Sequence, residues 1–429
     1  MLVKPPQRGG VRMTAEVAIV NKHAIALAAD SAVTVGRERV WKYANKLFSA
    51  GPSNDIGIMI YNSGDFLGIP WETIVKEHRR HCGVKEFATV ADFADDFLSF
   101  VKSDKFSEPN AQRVSFLLIL MQLFQLVKRG MKYSTRTEFY AALPHATTTW
   151  ITELSVQTAV FQIDKVQFSR NYRTLIRQLA ETVFERKPKR EMVDGLVDLS
   201  HEYLCRSAES EFSTGVVFAG YGRSELLPSI IHKIFDGKDL NVTRIWTKKE
   251  WDYNKMKPGD DGGRVIPFAQ SDMFFLFMEG ISNQYLRFLR ESIKKTLRNK
   301  SKELVDAFVT DPHQKGVENT KQDSDNAIIL DEFFKEFQRY RQEVLVSPTV
   351  NTITSLPKEE MASMAVAMVE LTALRRKVDS SIESVGGPVD VVVISKGDGL
   401  IWMNRKHYFD IDKNADFIIR KEIGRGATP

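Results

Sequence analysis

The chain has 429 residues, 60 basic against 55 acidic for a formal charge of +5, and is 43% hydrophobic. That length allows two or three domains with a sizeable core. The near balance of charge gives no electrostatic footprint for nucleic acid or an anionic membrane. Cys82 and Cys205 are the only cysteines, which argues against a disulfide framework and for a reducing compartment. No apolar run approaches the ~18 residues of a membrane span, so the expectation is a cytoplasmic protein.

Residues 1–13, MLVKPPQRGGVRM, lack the apolar core of a secretory signal, and Pro5–Pro6 and Gly9–Gly10 argue against regular structure. They read as a propeptide or as an upstream extension before a start at Met13. Thr14 follows that methionine, which N-terminal processing removes readily when a small residue comes next. Two short apolar runs, Val17–Val20 and Ala24–Ala29, flank the polar Asn21–His23 and predict a β-hairpin. Asp30 ends the second run, sixteen positions after Thr14, and Lys46 lies sixteen after Asp30, just before Leu47–Phe48. A hairpin ending in Ala-Ala-Asp with a lysine further on is common in α/β proteins, and most charged residues simply face solvent. It is the conjunction of types, spacing and position that points further.

This stretch, with Thr14, Leu27-Ala28-Ala29-Asp30-Ser31 and Lys46-Leu47-Phe48, resembles the start of proteasome β subunits and of the bacterial ATP-dependent heat-shock peptidase. Both are N-terminal nucleophile (Ntn) hydrolases. The resemblance implies an α+β fold, a four-layer αββα sandwich, and peptide-bond hydrolysis through an acyl-enzyme on Thr14 by a threonine-type endopeptidase. The residue types suit that chemistry. A threonine hydroxyl is a weak nucleophile that needs a base, and the α-amine of a first residue can serve, with an unperturbed pKa near ~8. An ammonium such as Lys46 favours the neutral amine and stabilises a developing alkoxide. Asp30 would hold that lysine charged and in place. Met13 stands where proteasome β subunits carry the glycine at which they cut themselves, so methionine removal is the simpler route to a free Thr14.

Asp55–Ile60 predicts a buried strand leading into Tyr61-Asn62-Ser63-Gly64-Asp65. The resemblance places an oxyanion donor in the Tyr61, Asn62, Ser63 backbone, where glycines are usual. It also places Val33, Phe48 and Met59 around a pocket favouring an apolar side chain. The competing reading is an ordinary strand-to-helix turn with Asp65 as cap. Helical spacing then runs through Phe87–Val101, Val114–Val127, Tyr172–Phe184 and Met192–Leu204, with Thr147–Phe168 open to a short hairpin. Residues 73–212 read as a helical insertion. Phe116–Val127 is its strongest apolar helix, too short to span a bilayer.

Strand patterns return at Thr214–Gly222, Ser229–Ile234, Leu240–Trp246 and Arg264–Ala269. Gly220-Tyr221-Gly222 lacks the lysine and further glycine of a phosphate loop. Ala269-Gln270-Ser271-Asp272 occupies the place of the family's Gly-Ser-Gly turn, which makes Ser271 a candidate near the Thr14 amine; a helix N-cap competes equally. Residues 285–355 read as a second insertion: a charged helix at Leu286–Phe308, a polar mobile linker at Thr310–Asn326 and a helix near Asp331–Val344. The basic run Lys294–Lys302 reads as a solvated helix face. Met361–Leu374 predicts a helix, Val389–Ile394 and Leu400–Met403 a closing hairpin, and 411–429 a tail. In the loop between, the resemblance implies roles for Asp379 and Ser384, five residues apart here and three apart in the family.

The core thus reads as residues 14–72, 213–284 and 356–410. His78-Arg79-Arg80-His81-Cys82 offers donor side chains but reads as a solvated helix end, and no metal or cofactor is expected. No GxSxG elbow or Walker A loop occurs. Partners are expected to be a peptide or protein substrate, with a homo-oligomer and an ATPase unfoldase compatible with the resemblance. Two alternatives stand beside the peptidase: a small-molecule amidohydrolase, and a noncatalytic assembly subunit that keeps the fold. Thr14, Asp30 and Lys46 together speak against the last.

Overall fold

In a computed structural model, the structure describes residues 15–35, 39–41, 44–106, 108–257, 259–260, 262–269, 271–378, 386–407, 409 and 412–414. The chain opens with the hairpin β1 (Glu16–Asn21) and β2 (Ile25–Ala29). The Asn21 side chain builds its turn: Oδ1 accepts from the His23 and Ala24 N–H groups, and Nδ2 donates to the Ile353 and Leu356 carbonyls at 3.0 Å. A buried amide with both ends satisfied can sit in the core without the cost of an orphaned polar group.

Next come a small ladder of β3 (Val33–Val35) and β4 (Arg39–Trp41), then β5 (Leu47–Ser49) and β6 (Asp55–Asn62). The two-residue strands β7 (Asp65–Phe66) and β8 (Ile69–Pro70) lead into α1 (Trp71–Cys82) and α2 (Val90–Lys102). Four further helices follow: α3 (Pro109–Gly130), α4 (Arg136–Ser155), α5 (Lys165–Phe184) and α6 (Arg190–Leu204). The chain returns to strands in β9 (Thr214–Tyr221), β10 (Ser229–Asp239), β11 (Val242–Asp252) and β12 (Gly263–Pro267). Helices α7 (Asp272–Glu279), α8 (Asn283–Phe308), α9 (Pro312–Arg341), α10 (Ser347–Thr354) and α11 (Lys358–Val378) precede the closing hairpin β13 (Asp390–Ser395) and β14 (Gly399–Asn404).

The fold is α+β. One five-stranded sheet has the order β12-β1-β2-β13-β14, the other β11-β10-β9-β6-β5, and every ladder is antiparallel. Strand alternation decides the layering. Ala18, Val20, Ile25 and Leu27 of the first sheet meet Met59, Val217, Ala219 and Ile230 of the second between the sheets. Val17, Ile19, Ala26 and Val393 point outward onto Met361, Ala365 and Val369 of α11. On the far side, Ile58, Val216, Phe218 and Phe235 carry Trp71 of α1 with Phe93 and Phe97 of α2. Two sheets are therefore packed between helical layers, and strands buried on both faces read as continuous apolar runs.

The helices 73–212 divide in space. While α1 and α2 form the outer layer on the second sheet, α3 to α6 close a separate core around Phe116, Leu120, Phe124, Phe168, Tyr172 and Leu196. At 22 residues α3 is long and apolar enough by composition to cross a membrane, which corrects the shorter helix read from the sequence; its Phe116, Ile119, Leu123 and Val127 are buried in that bundle core.

Two local expectations fail. Thr147–Phe168 holds no hairpin: α4 continues to Ser155, and Thr148, Thr149 and Thr152 donate their hydroxyls to carbonyls four residues back. Their β-forming preference yields to the packing of Leu143 and Leu154 in the bundle core, where tertiary burial outweighs propensity. Thr310–Asn326 is not a linker but the first half of α9. Asp311 caps it by accepting from Gln314 N–H at 2.8 Å, Pro312 occupies its first turn, and Asn326 donates to Ser301 of α8.

Candidate active site

The hairpin places two acids at one end of the first sheet. Asp30 follows β2 directly, and its backbone N–H donates to the Ala15 carbonyl at 3.1 Å. Ala15 N–H returns a bond to Asp30 Oδ1 at 3.3 Å, and Gly386 N–H donates to Oδ2 at 2.9 Å. Ser31 Oγ donates to the Pro388 carbonyl, so the start of β1, the end of β2 and the approach to β13 are tied together.

Lys46 reaches this place from the second sheet, immediately before β5, where its carbonyl accepts from Ile60 N–H at 2.9 Å. Its Nζ donates to Asp30 Oδ1 at 2.5 Å and to Glu16 Oε1 at 3.0 Å. All three side chains are buried, with Glu16 2%, Asp30 1% and Lys46 5% exposed. Burial alone would lower the lysine's pKa. The charges and hydrogen bonds of Glu16 and Asp30 outweigh it and hold the ammonium above its ordinary value. A raised lysine contributes its stabilisation fully below the unfolded value of 10.5, and that contribution is lost as pH rises through the folded value.

Glu16 was not foreseen in the sequence. Its signal was there: an acid directly before the apolar run Val17–Val20, in a strand whose six residues are all buried.

The other expected site residues fare unevenly. Thr14, Asp379 and Ser384 lie outside the described residues, as does the side chain of Val33, which begins β3. Met59 is fully buried between the sheets, and Phe48 packs on the opposite face of the second sheet with the α1–α2 layer. Adjacent ladder positions point to opposite faces, so the two side chains do not line one pocket together. Tyr61 is a core residue: its hydroxyl shares a 2.7 Å hydrogen bond with His232 Nε2, and its ring lies over Gly215, where a Cβ would come within 1.9 Å of Cε1. It borders the charged cluster, since burial raises its pKa and the charges of Glu209 and Glu16 add to that.

Ser63 N–H points to the Ser213 carbonyl at 3.4 Å, and Asn62, at φ 73°, donates Nδ2 to the same carbonyl at 2.6 Å. The Ser63 donor is thereby engaged in the sheet, not presented to a substrate. Ser271 sits at the N-cap of α7 without a side-chain capping bond. Phe274, one turn on, lines a cavity of about 10 Å³ with Ala15 and Glu16, room for one water at most.

Burial depresses His232 from 6.5 to about 3, with Lys248 pushing the same way. The unfolded chain therefore takes up a proton that the native state refuses as pH falls from 6.5 towards 3, and stability declines in that window. The slope is up to ~1.4 kcal/mol per pH unit. Urea unfolding of a His232→Gln variant at pH 7 and pH 4 should show a fall smaller than wild type by about 3 kcal/mol; equal falls would remove His232 as the cause.

An α+β sandwich with a buried Lys-Asp-Glu cluster joining its two sheets is the class of protein these features define. No protein-family model matches the chain, and no curated protein does. Among solved structures it is similar to Anbu (ancestral beta-subunit) from Yersinia bercovieri, at 11% identity and a TM-score of 0.29, over 96% of this chain and 94% of that one. It is also similar to the Anbu (Gly-1) mutant from Hyphomicrobium sp. strain MC1, at 9% identity and a TM-score of 0.27, over 96% of each. This corrects the expected kinship: these distant neighbours are Anbu proteins, distinct from the proteasome β subunits and the heat-shock peptidase that the N-terminal motif resembles.

Proposed function

We propose that this protein hydrolyses peptide or amide bonds through an acyl-enzyme on Thr14, once Thr14 is the first residue of the chain. One observation supports the reading above others: a buried, ion-paired Lys46 lies beside Asp30, whose carboxylate accepts from the N–H of the peptide joining Thr14 to Ala15. Burying a lysine with two carboxylates is costly, and as a structural device it is often no better than apolar packing. Such clusters concentrate where a charge has work to do.

In the proposed reaction Thr14 Oγ attacks the substrate carbonyl carbon and its proton passes to the α-amine. Lys46 stabilises the oxygen as it gains charge. The C–N bond breaks, the leaving amine takes the proton, and water then hydrolyses the ester, returning Oγ–H. Asp30 and Glu16 hold Lys46; Ser271, Asp379 and Ser384 are retained as candidate neighbours of the amine. The division into a core of 14–72, 213–284 and 356–410 with helical insertions belongs to this proposal.

Intact mass and N-terminal sequencing, run beside turnover of short peptide and small-amide substrates, test it. Active preparations are expected to begin at Thr14. Activity confined to chains that keep Met13 would end this mechanism.

A further inference from the structure

The helical layer on the second sheet carries a second cluster, independent of the chemistry proposed at Thr14. His78 and Cys82 are four residues apart on α1 and so lie one above the other on the same helix face. Asp96 comes from α2. Three donor atoms converge: His78 Nε2 is 3.0 Å from Asp96 Oδ2, Cys82 Sγ is 3.3 Å from His78 Nε2, and Cys82 Sγ is 3.5 Å from Asp96 Oδ2.

From these observations we propose that His78, Cys82 and Asp96 bind a zinc ion that clamps α1 to α2.

The geometry carries it. Tetrahedral zinc with sulfur at ~2.3 Å and nitrogen or oxygen at ~2.0–2.1 Å separates its ligand atoms by roughly 3.3–3.6 Å. The three separations found put a circle of about 1.9 Å radius through the donor atoms. An ion standing slightly off their plane meets all three at bonding distance after shifts of a few tenths of an ångström. Thiolate, imidazole and carboxylate together suit a borderline-soft divalent cation and not calcium or magnesium.

The surroundings suit a site as well. His78 is 1% exposed, and its ring is fixed between Phe93, Phe97 and Phe100 at centroid distances of 5.3, 4.8 and 5.2 Å. The other oxygen of Asp96, Oδ1, accepts from Lys85 Nζ, which orients the carboxylate and leaves Oδ2 to the ion. Asp96 also faces an open cleft of about 590 Å³ lined by Glu77, His81 and Ser99, a route for the ion and for a water as fourth ligand. Binding releases the Cys82 thiol proton to solvent and leaves the imidazole proton on Nδ1. The helix end read as solvated from the sequence is thus half of a site whose third ligand arrives from another helix.

The purified full chain is loaded with zinc, dialysed and measured by elemental analysis, and separately titrated with cobalt(II). The expected results are one zinc retained per chain and a thiolate-to-cobalt charge-transfer band that Cys82→Ser loses. Lys85→Ala should weaken zinc about 10–100-fold in chelator competition. Wild-type protein that keeps no zinc, or a band that survives in Cys82→Ser, overturns the proposal. Should Cys82→Ser lose its helical circular dichroism, Asp96→Asn replaces it with zinc competition as readout; unchanged affinity there also overturns the proposal.

Discussion

Lys46→Ala is expected to lose turnover by on the order of 10³-fold. It should also lose about 3–5 kcal/mol of stability, because Glu16 and Asp30 would be left buried without their shared cation. The motif alone suggests a tuning residue whose loss leaves folding largely intact; two buried carboxylates on one ammonium say otherwise. Lys46→Arg separates the two effects. The guanidinium keeps the charge and most of the stability, while its planar fork cannot reproduce a compact ammonium's position, so turnover should still fail. Urea unfolding and substrate turnover on both variants decide it. Wild-type turnover in Lys46→Arg would reduce Lys46 to a counter-ion for two acids.

Glu16→Gln should move the pH dependence of turnover in a stated direction. Glu16 stands two residues after Thr14 in the chain, and its carboxylate holds the Lys46 ammonium together with that of Asp30. A nearby carboxylate favours a protonated α-amine and raises the pH at which that amine becomes a base. Removing the charge should move the acid limb of the rate profile down by about 1 pH unit or more, within the range of nearby-charge effects. The variant would then be faster than wild type on the acid side, about 10-fold for each pH unit the limb moves, and slower at its plateau because Lys46 loses one of its two anchors. An acid limb that stays in place would leave Glu16 as an anchor alone.

Hairpin β1–β2, the strand 55–62, the return to strands at 214 and the final hairpin follow from apolar runs and turn residues, which are local in sequence and readable there. So are the pair Asp30 and Lys46, whose types and spacing are unusual enough to be noticed. The polar first half of α9 was missed because its cap, Asp311-Pro312, is a two-residue signal in a stretch of low hydrophobicity. That Phe48 and Met59 lie on opposite faces of the second sheet was not legible, because a strand's faces cannot be told apart until its partners are known.

What the sequence determined by itself is the apolar patterning: strands buried on both faces, helices with one apolar side, and a chain start carrying a hydroxyl, an acid and a lysine at set intervals. Tertiary structure decided which of those groups meet. Glu16 joins Lys46 only because β1 and β5 belong to different sheets that close on each other. Asp96 joins His78 and Cys82 only because α1 and α2 cover the same sheet side by side. In both cases the partner is distant in the chain, and burial drives the contact while the charged or donor groups meet as its consequence; no local pattern records such a meeting, because the free energy that enforces it comes from the apolar surfaces around it.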